Sequence, residues 1–560
     1  MITKIIALLL AGIGCIYMNK MAFAEDDFLH ALKRSGYLLA GRMPNDAEFE
    51  AGTQTPQAYR EHVRKFIQSP GFYDSVLRYH ERIFGIGLPE MYLEELQNGD
   101  LNDLNTKFAK ITCRRGKAAN ERYRCFWAGR KQNAKVSFCP EAMEQTVSAF
   151  WKPGVVAWVC PSISRACGAD LSRCFIQYED ADEARNAELG ASEIFDSKVN
   201  IIKSLAKQPA GIATAVVHEN FPYTKILEPG LTAVDGSLAH FYRQAQHFNL
   251  EKLNLSANVL SQVNKISLTD TRFRLIYSGR TSETAGILTT FSWLRRYEKN
   301  RTRANQLYER LLCRKLSAEL PKVFPQDPGD LRTREGCKGC HATLDPLSDF
   351  FGVWGEGGDL YKGIGGHKVA SFNGQSGTSI AELADIIRSD RAFAACTVQN
   401  VWEWLVGRKF FKSEEPVRDA LTDYFTQTKY SFRELVYAVS THPTFTSGKR
   451  ADATVTEPLD QPPLGKAPDA NSFIGKCKDT YTFAADILPK LTGETNCRTC
   501  HTAEAGRQLL NTEQDWKRLG KSTVDQMSSG SMPPGQSGPP SAGQVYDLKE
   551  AVRCWLEKNP

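Results

Sequence analysis

Apolar residues recur at three- and four-residue spacing over long stretches of this chain, the period of a helix with one buried face. The spacing predicts helices over Phe28–Leu32, Ala58–Phe66 and Phe72–Ile83, and helical structure again from Ala191 to about Leu312. Amphipathic helices are expected at Ala381–Ile387, Val398–Leu405 and Phe432–Val439. Two stretches break the period. Residues 110–180 hold a cluster of cysteines with Trp127, Trp151 and Trp158, which reads as a partly β insertion held by disulfides. Residues 446–470 hold Pro458, Pro462, Pro463 and Pro468 among polar residues, the signature of a linker. The fold class is therefore expected to be mainly α. A chain of 560 residues exceeds one ordinary core. Its expected parts are a helical region over 25–300 carrying the insertion, a helical domain over 301–445, the linker, and a compact domain over 471–560.

The first 24 residues follow a different pattern. Lys4 supplies a positive start, Ile5–Tyr17 is apolar and uncharged, and Ala22-Phe23-Ala24 offers small residues just before Glu25-Asp26-Asp27. This is the pattern of a cleaved secretory signal over 1–24, and it implies a periplasmic or otherwise exported protein. The apolar run is shorter than the ~20 residues a spanning helix needs. Farther on, the stretch from Val147 to Ile163 is broken by Lys152 and Pro153, so no stable membrane span is expected. Composition is that of a soluble globular protein, with 42% hydrophobic and 24% charged residues. The net charge of +6 falls to about +4 once Lys4 and Lys20 are removed with the signal. Its basic residues are interspersed with acidic ones, which excludes a nucleic-acid partner, since that needs basic residues gathered on one face.

Cysteine usage agrees with export. Of fifteen cysteines, Cys15 leaves with the signal and four belong to the motifs described next. The ten that remain are Cys113, Cys125, Cys139, Cys160, Cys167, Cys174, Cys313, Cys396, Cys477 and Cys554. In an oxidising compartment such an even set reads as disulfides. Two pairings stand out by position: Cys313 with Cys396, flanking the first motif, and Cys477 with Cys554, closing the last domain end to end. The six between Cys113 and Cys174 lack paired C-x-x-C units and have no histidine among them, which favours disulfides over a zinc site.

The residues that carry chemistry are Cys337-Lys338-Gly339-Cys340-His341 and Cys497-Arg498-Thr499-Cys500-His501. Each is C-x-x-C-H, the attachment pattern for c-type haem. Two thiols three positions apart on one helical turn can each form a thioether to a haem vinyl group. The next residue then lies beneath the iron and offers its imidazole nitrogen. Cys337, Cys340, Cys497 and Cys500 are thus the expected attachment points, and His341 and His501 the expected iron ligands, of two covalently bound haems. After His501 comes Gly530-Ser531-Met532-Pro533-Pro534-Gly535, a stiff loop that presents Met532 as the ligand on the far side of the second iron, with Met527 as its rival. Only five methionines follow the signal, so one in this setting is informative.

On these residues, 471–560 resembles a compact class I cytochrome c domain. The run from Cys337 through His341-Ala342-Thr343-Leu344-Asp345-Pro346-Leu347 resembles the C-x-x-C-H-x-x-x-D-P-L segment of planctomycete-type cytochromes, which are large exported proteins of mostly unassigned function. Looser likenesses are Pro222–Leu227 with Thr232-Ala233-Val234, Gly286–Thr290, Asn300–Asn305, Ala395-Cys396 with Leu405–Arg408, and Tyr430–Leu435. The resemblance covers about 200–445 and departs from the family after Pro346.

The far side of the first iron stays open. No methionine follows His341 until Met527. His367 is one candidate ligand, His218, His240, His247 and His442 are others, and Met43, Met91 and Met143 would have to come from the N-terminal region. A five-coordinate iron is a further alternative, and it would permit small-molecule binding. There is no G-x-S-x-G elbow, no H-E-x-x-H, and no G-K-[ST] after the glycine-rich stretch from Gly352 to Gly366, which instead reads as a loop over the haem edge. The functions implied are electron transfer with a redox partner protein, or a haem enzyme of peroxidase-like type with the first haem reactive and the second as electron port. A third is a cytochrome docked by its N-terminal half. Catalytic residues are unassigned.

Overall fold

The computed structural model describes residues 28–85, 109–115, 123–127, 144–152, 154–177, 196–245, 257–277, 283–316, 331–332, 334, 337–355 and 370–447. Helix accounts for 62% of this region and strand for 11%, so the expectation of a mainly α protein holds there. The expected signal, the Cys477–Cys554 pairing, the linker beyond Ser447 and the whole of 471–560 lie outside the described residues, while Thr446 and Ser447, expected to open the linker, end a short helix.

The chain enters as a helical segment over 28–40 whose last turn, Gly36–Ala40, is a π-helix. It ends at Gly41, whose φ of +69° is a left-handed conformation that glycine adopts without steric cost. The next helices have strong start signals. In α1 (Asp46–Gly52), Asn45 and Glu48 form a reciprocal capping box. In α2 (Pro56–Gln68), Thr55 caps the start and proline takes the first position. In α3 (Pro70–Phe84), proline again leads and Gly85 closes the helix at φ +68°. These helices cover the three that the apolar spacing predicts at the N-terminus.

The insertion follows. Strands β1 (Lys110–Arg115), β2 (Tyr123–Trp127), β3 (Gln145–Ser148), β4 (Val156–Val159) and β5 (Phe175–Ile176) form one sheet in the order β3-β4-β2-β1-β5, with helix α4 (Pro161–Cys167) packed on it. Cys113 and Cys125 sit directly opposite on β1 and β2 and are bonded, as are Cys167 and Cys174. Cys160 is disulfide-bonded as well. This unit buries its own small core, including Ile111, Val147, Val159, Ile163 and Leu171. A sheet this small buries too little apolar surface to be secure alone, and cross-links offset that deficit.

The centre of the main body is α5 (Ser197–His218), which is buried on nearly every face and packs against α3. Its stretch from Gln208 to Val217 is buried on every side, and such a stretch has to be enclosed by other elements. The enclosure is close: a Cβ added at Gly211 would come within 2.4 Å of the Phe273 ring. Beyond α5 the chain is less purely helical than its spacing predicts. Strand β6 (Leu231–Val234) pairs antiparallel with β7 (Arg274–Tyr277), with α6 (Gly236–Ala245) and α7 (Ala257–Val263) between them. Both strands are almost wholly buried, and a short buried apolar run has no periodicity to separate strand from helix. Then come α8 (Phe291–Arg296), α9 (Asn300–Arg310) and α10 (Lys338–Ser348). A small antiparallel pair, β8 (Ala370–Phe372) and β9 (Gln375–Gly377), leads into α11 (Ile380–Ser389), α12 (Arg391–Val406), α13 (Glu415–Gln427), α14 (Phe432–Ser440) and α15 (Pro443–Ser447).

One continuous core runs from Ala31 to Phe445 and does not divide near residue 300. The Tyr297 hydroxyl donates to the Phe84 carbonyl at 3.0 Å, and the backbone N–H of Tyr223 donates to the Tyr430 carbonyl at 2.8 Å. Cys313 and Cys396 are bonded, as their positions on either side of the first motif predict. The Leu405–Arg408 block also acquires a physical reason. Gly407 ends α12 at φ +81°, and Arg408 then forks onto the fully buried Glu414 at 2.7 and 2.8 Å.

Candidate functional site

The first C-x-x-C-H motif forms the start of α10. Cys337 is the N-cap, and its carbonyl accepts from the N–H of Cys340 at 3.1 Å and of His341 at 3.0 Å. These two bonds place Cys337, Cys340 and His341 on one turn. At about 100° per residue, those three side chains share a stripe with Leu344, Leu347 and Ser348. Leu347 and Ser348 are buried and Leu344, Cys337, Cys340 and His341 are partly buried, while Lys338, Gly339 and Ala342 opposite are exposed. The buried end anchors the helix in the core, with Phe350 and Phe351 beyond it. At the other end the two thiols and the imidazole are presented together.

The chemical state of the thiols fits a covalent cofactor. Among the described cysteines, Cys113, Cys125, Cys160, Cys167, Cys174, Cys313 and Cys396 are disulfide-bonded. The free ones are Cys337 and Cys340. No group of three or more His, Cys, Asp or Glu side chains arranged for a metal ion occurs among the described residues.

His341 is oriented from behind. Its Nδ1 lies 3.0 Å from Oδ1 of Asp345, one helical turn on. Asp345 is in turn gripped by Arg301 of α9, with Nε to Oδ1 at 2.6 Å and a terminal nitrogen to Oδ2 at 2.9 Å. Partial burial by itself would raise the Asp345 carboxyl, but hydrogen bonds from Arg301 and His341 outweigh it and hold the group below the usual carboxylate range. An ionised carboxylate only accepts, so this contact is a hydrogen bond donated by Nδ1 of His341, and Nε2 is the ring nitrogen that Asp345 does not engage.

The same helix holds the far end of α10. Arg303 is fully buried and donates to Asn300 Oδ1 at 2.7 Å and to the carbonyls of Leu294 at 2.8 Å, Trp354 at 3.1 Å and Gly355 at 2.7 Å. Trp354 Nε1 donates to the Glu283 carbonyl at 2.9 Å. The chain leaving α10 is thereby clamped. These roles of Asn300, Arg301, Arg303 and Asp345 are not visible in spacing alone, although the four-residue interval from His341 to Asp345 does place the pair on one helix face.

The other candidate ligands are dispersed. His240 is buried between Phe150 and Phe175, where the insertion meets the main body. His442 packs edge-on against Trp402, and its Nδ1 accepts from the Thr444 N–H at 3.2 Å. His218 lies edge-on to Tyr73. Met43 is exposed beside α1. His247, His367, Met91 and Met143 lie outside the described residues, as do Cys497, Cys500, His501, Met532 and most of the glycine-rich stretch.

Residues 373–445, from the β8–β9 turn into α15, match a family model described as "Protein of unknown function (DUF1585)". That domain occurs in multi-haem cytochrome-like proteins. No curated protein and no solved structure matches the chain.

Proposed function

We propose that this chain is an exported di-haem c-type cytochrome that transfers electrons to or from a redox partner protein. One observation carries the reading: two free thiols and an imidazole share the first turn of α10 in a chain whose other described cysteines are disulfide-bonded. Thioether formation adds each S–H across a haem vinyl group, so both thiols are consumed and no oxidant is needed. Cys337 and Cys340 would hold the first haem and His341 would ligate it. Cys497, Cys500, His501 and Met532 would serve the second. A haem bound there supplies a redox-active iron. The protein's own part is to orient His341, keep Nδ1 protonated, and fix α10 in the core. Export rests on the N-terminal pattern and agrees with the disulfides. Among the described residues no helix is long and apolar enough to cross a membrane.

The carboxylate on His341 favours a second reading, in which the first haem is reactive and the second is its electron port. A hydrogen bond to the far nitrogen raises ligand basicity, which tunes reactivity as well as potential. A pyridine haemochrome spectrum with intact mass tests the main reading. Two covalent haems per chain are expected, falling to one in C337A/C340A; a chain exported through a c-type maturation system that carries none refutes it. Mixing with peroxide then separates carrier from enzyme.

A further inference from the structure

Resting on the haem reading above, we infer that Asp345 and Arg301 form a positioning pair that sets the reduction potential of the first haem through the far nitrogen of His341. The geometry has three parts. Asp345 takes the Nδ1 proton's hydrogen bond at 3.0 Å. Arg301 holds both oxygens of that carboxylate, which fixes the plane in which Asp345 meets the ring. Arg301 belongs to α9, whose Arg303 is anchored in the core by four hydrogen bonds, so the fork stands on a rigid support.

The two residues push the iron in opposite directions. The Asp345 carboxylate draws the Nδ1 proton and makes the imidazole a stronger donor, and its negative charge favours the ferric state. Arg301 shares that carboxylate, weakens its pull on the proton, and adds a positive charge that disfavours the ferric state. Arg301 is 53% exposed and Asp345 only 19%, so solvent screens the arginine more. A purely structural pair would not produce shifts of opposite sign.

The experiment is a spectroelectrochemical titration of the full chain as wild type, D345N and R301Q, each loaded with haem. The first haem is identified as the signal lost in C337A/C340A. D345N is expected to raise the midpoint of the first haem and R301Q to lower it by a smaller shift, with the second haem unmoved in both. D345E, which restores the carboxylate, is expected to move the midpoint back toward wild type. A D345N midpoint at or below wild type, or an R301Q midpoint at or above it, overturns the inference while leaving the haem reading intact. Should D345N fail to take up haem, the sign of the R301Q shift decides alone. A wild-type chain without haem at Cys337 and Cys340 overturns the reading and the inference together.

Discussion

Tyr59 and Ser440 are 381 residues apart in the chain, and the Tyr59 hydroxyl donates to the Ser440 carbonyl at 2.7 Å inside the core. The same hydroxyl lies 3.0 Å from Oγ of Ser35. Three distant segments therefore meet at one buried oxygen. Y59F keeps the ring and removes the oxygen, which leaves buried polar groups short of a partner and is expected to cost about 1–3 kcal/mol. Urea unfolding monitored by circular dichroism checks this. A midpoint equal to wild type would mean that the bond contributes nothing net.

Cys313 and Cys396 close a loop of sequence separation 83 between the end of α9 and α12. Chain-entropy arguments give up to ~4.5 kcal/mol for a loop of that length, and measured values more often fall at about 2–4 kcal/mol. C313A/C396A is expected to lose stability in that lower range. The change should be absent when both proteins are compared under reducing conditions.

Acid should destabilise the described body well before its carboxylates titrate. Burial lowers His80 to about 3, and it lowers His240 and His442 each to about 4. All three stay neutral in the fold, whereas the unfolded chain protonates them near pH 6.5. Their contribution is thus present above pH 6.5 and is lost as pH falls from there toward 4, by up to ~1.4 kcal/mol per histidine per pH unit. Asp235 and Glu219, raised by burial, act with the opposite sign. Denaturant midpoints at pH 7 and pH 5 measure the net loss, and H240N should flatten the slope.

Arg303 offers a test of the clamp behind the site. Lysine keeps the charge but cannot reach Asn300, Leu294, Trp354 and Gly355 together. R303K is expected to destabilise by about 3–5 kcal/mol, the range for a buried charge that loses its partners. It should also reduce haem uptake at Cys337 and Cys340 more than uptake at the second motif. Haem stoichiometry by peptide mass spectrometry measures the difference.

Several features were legible along the chain because their causes are local. Helices α2, α3, α11, α12 and α14 follow from apolar periodicity, and Thr55, Ser379 and Ser431 mark three of their starts with capping side chains. The attachment motif is local too, since Cys337, Cys340 and His341 lie within one turn. Other features had no local cause. The strand pair β6–β7 joins residues some forty apart, and its buried apolar runs look the same as helix in one dimension.

Chain order alone determined that two thiols and a histidine would stand together at a helix start, because helical geometry places neighbours three and four residues apart on one face. Tertiary structure alone decided what stands behind that histidine. Arg301 and Asp345 are 44 residues apart, and only the packing of α9 on α10 brings guanidinium and carboxylate to 2.6 Å. It also decided that residues on both sides of position 300 share one core. The apolar face of α2 packs against α14 from the far end of the chain, and Tyr79 of α3 meets Trp404 of α12, contacts between distant segments that leave no periodic trace in either.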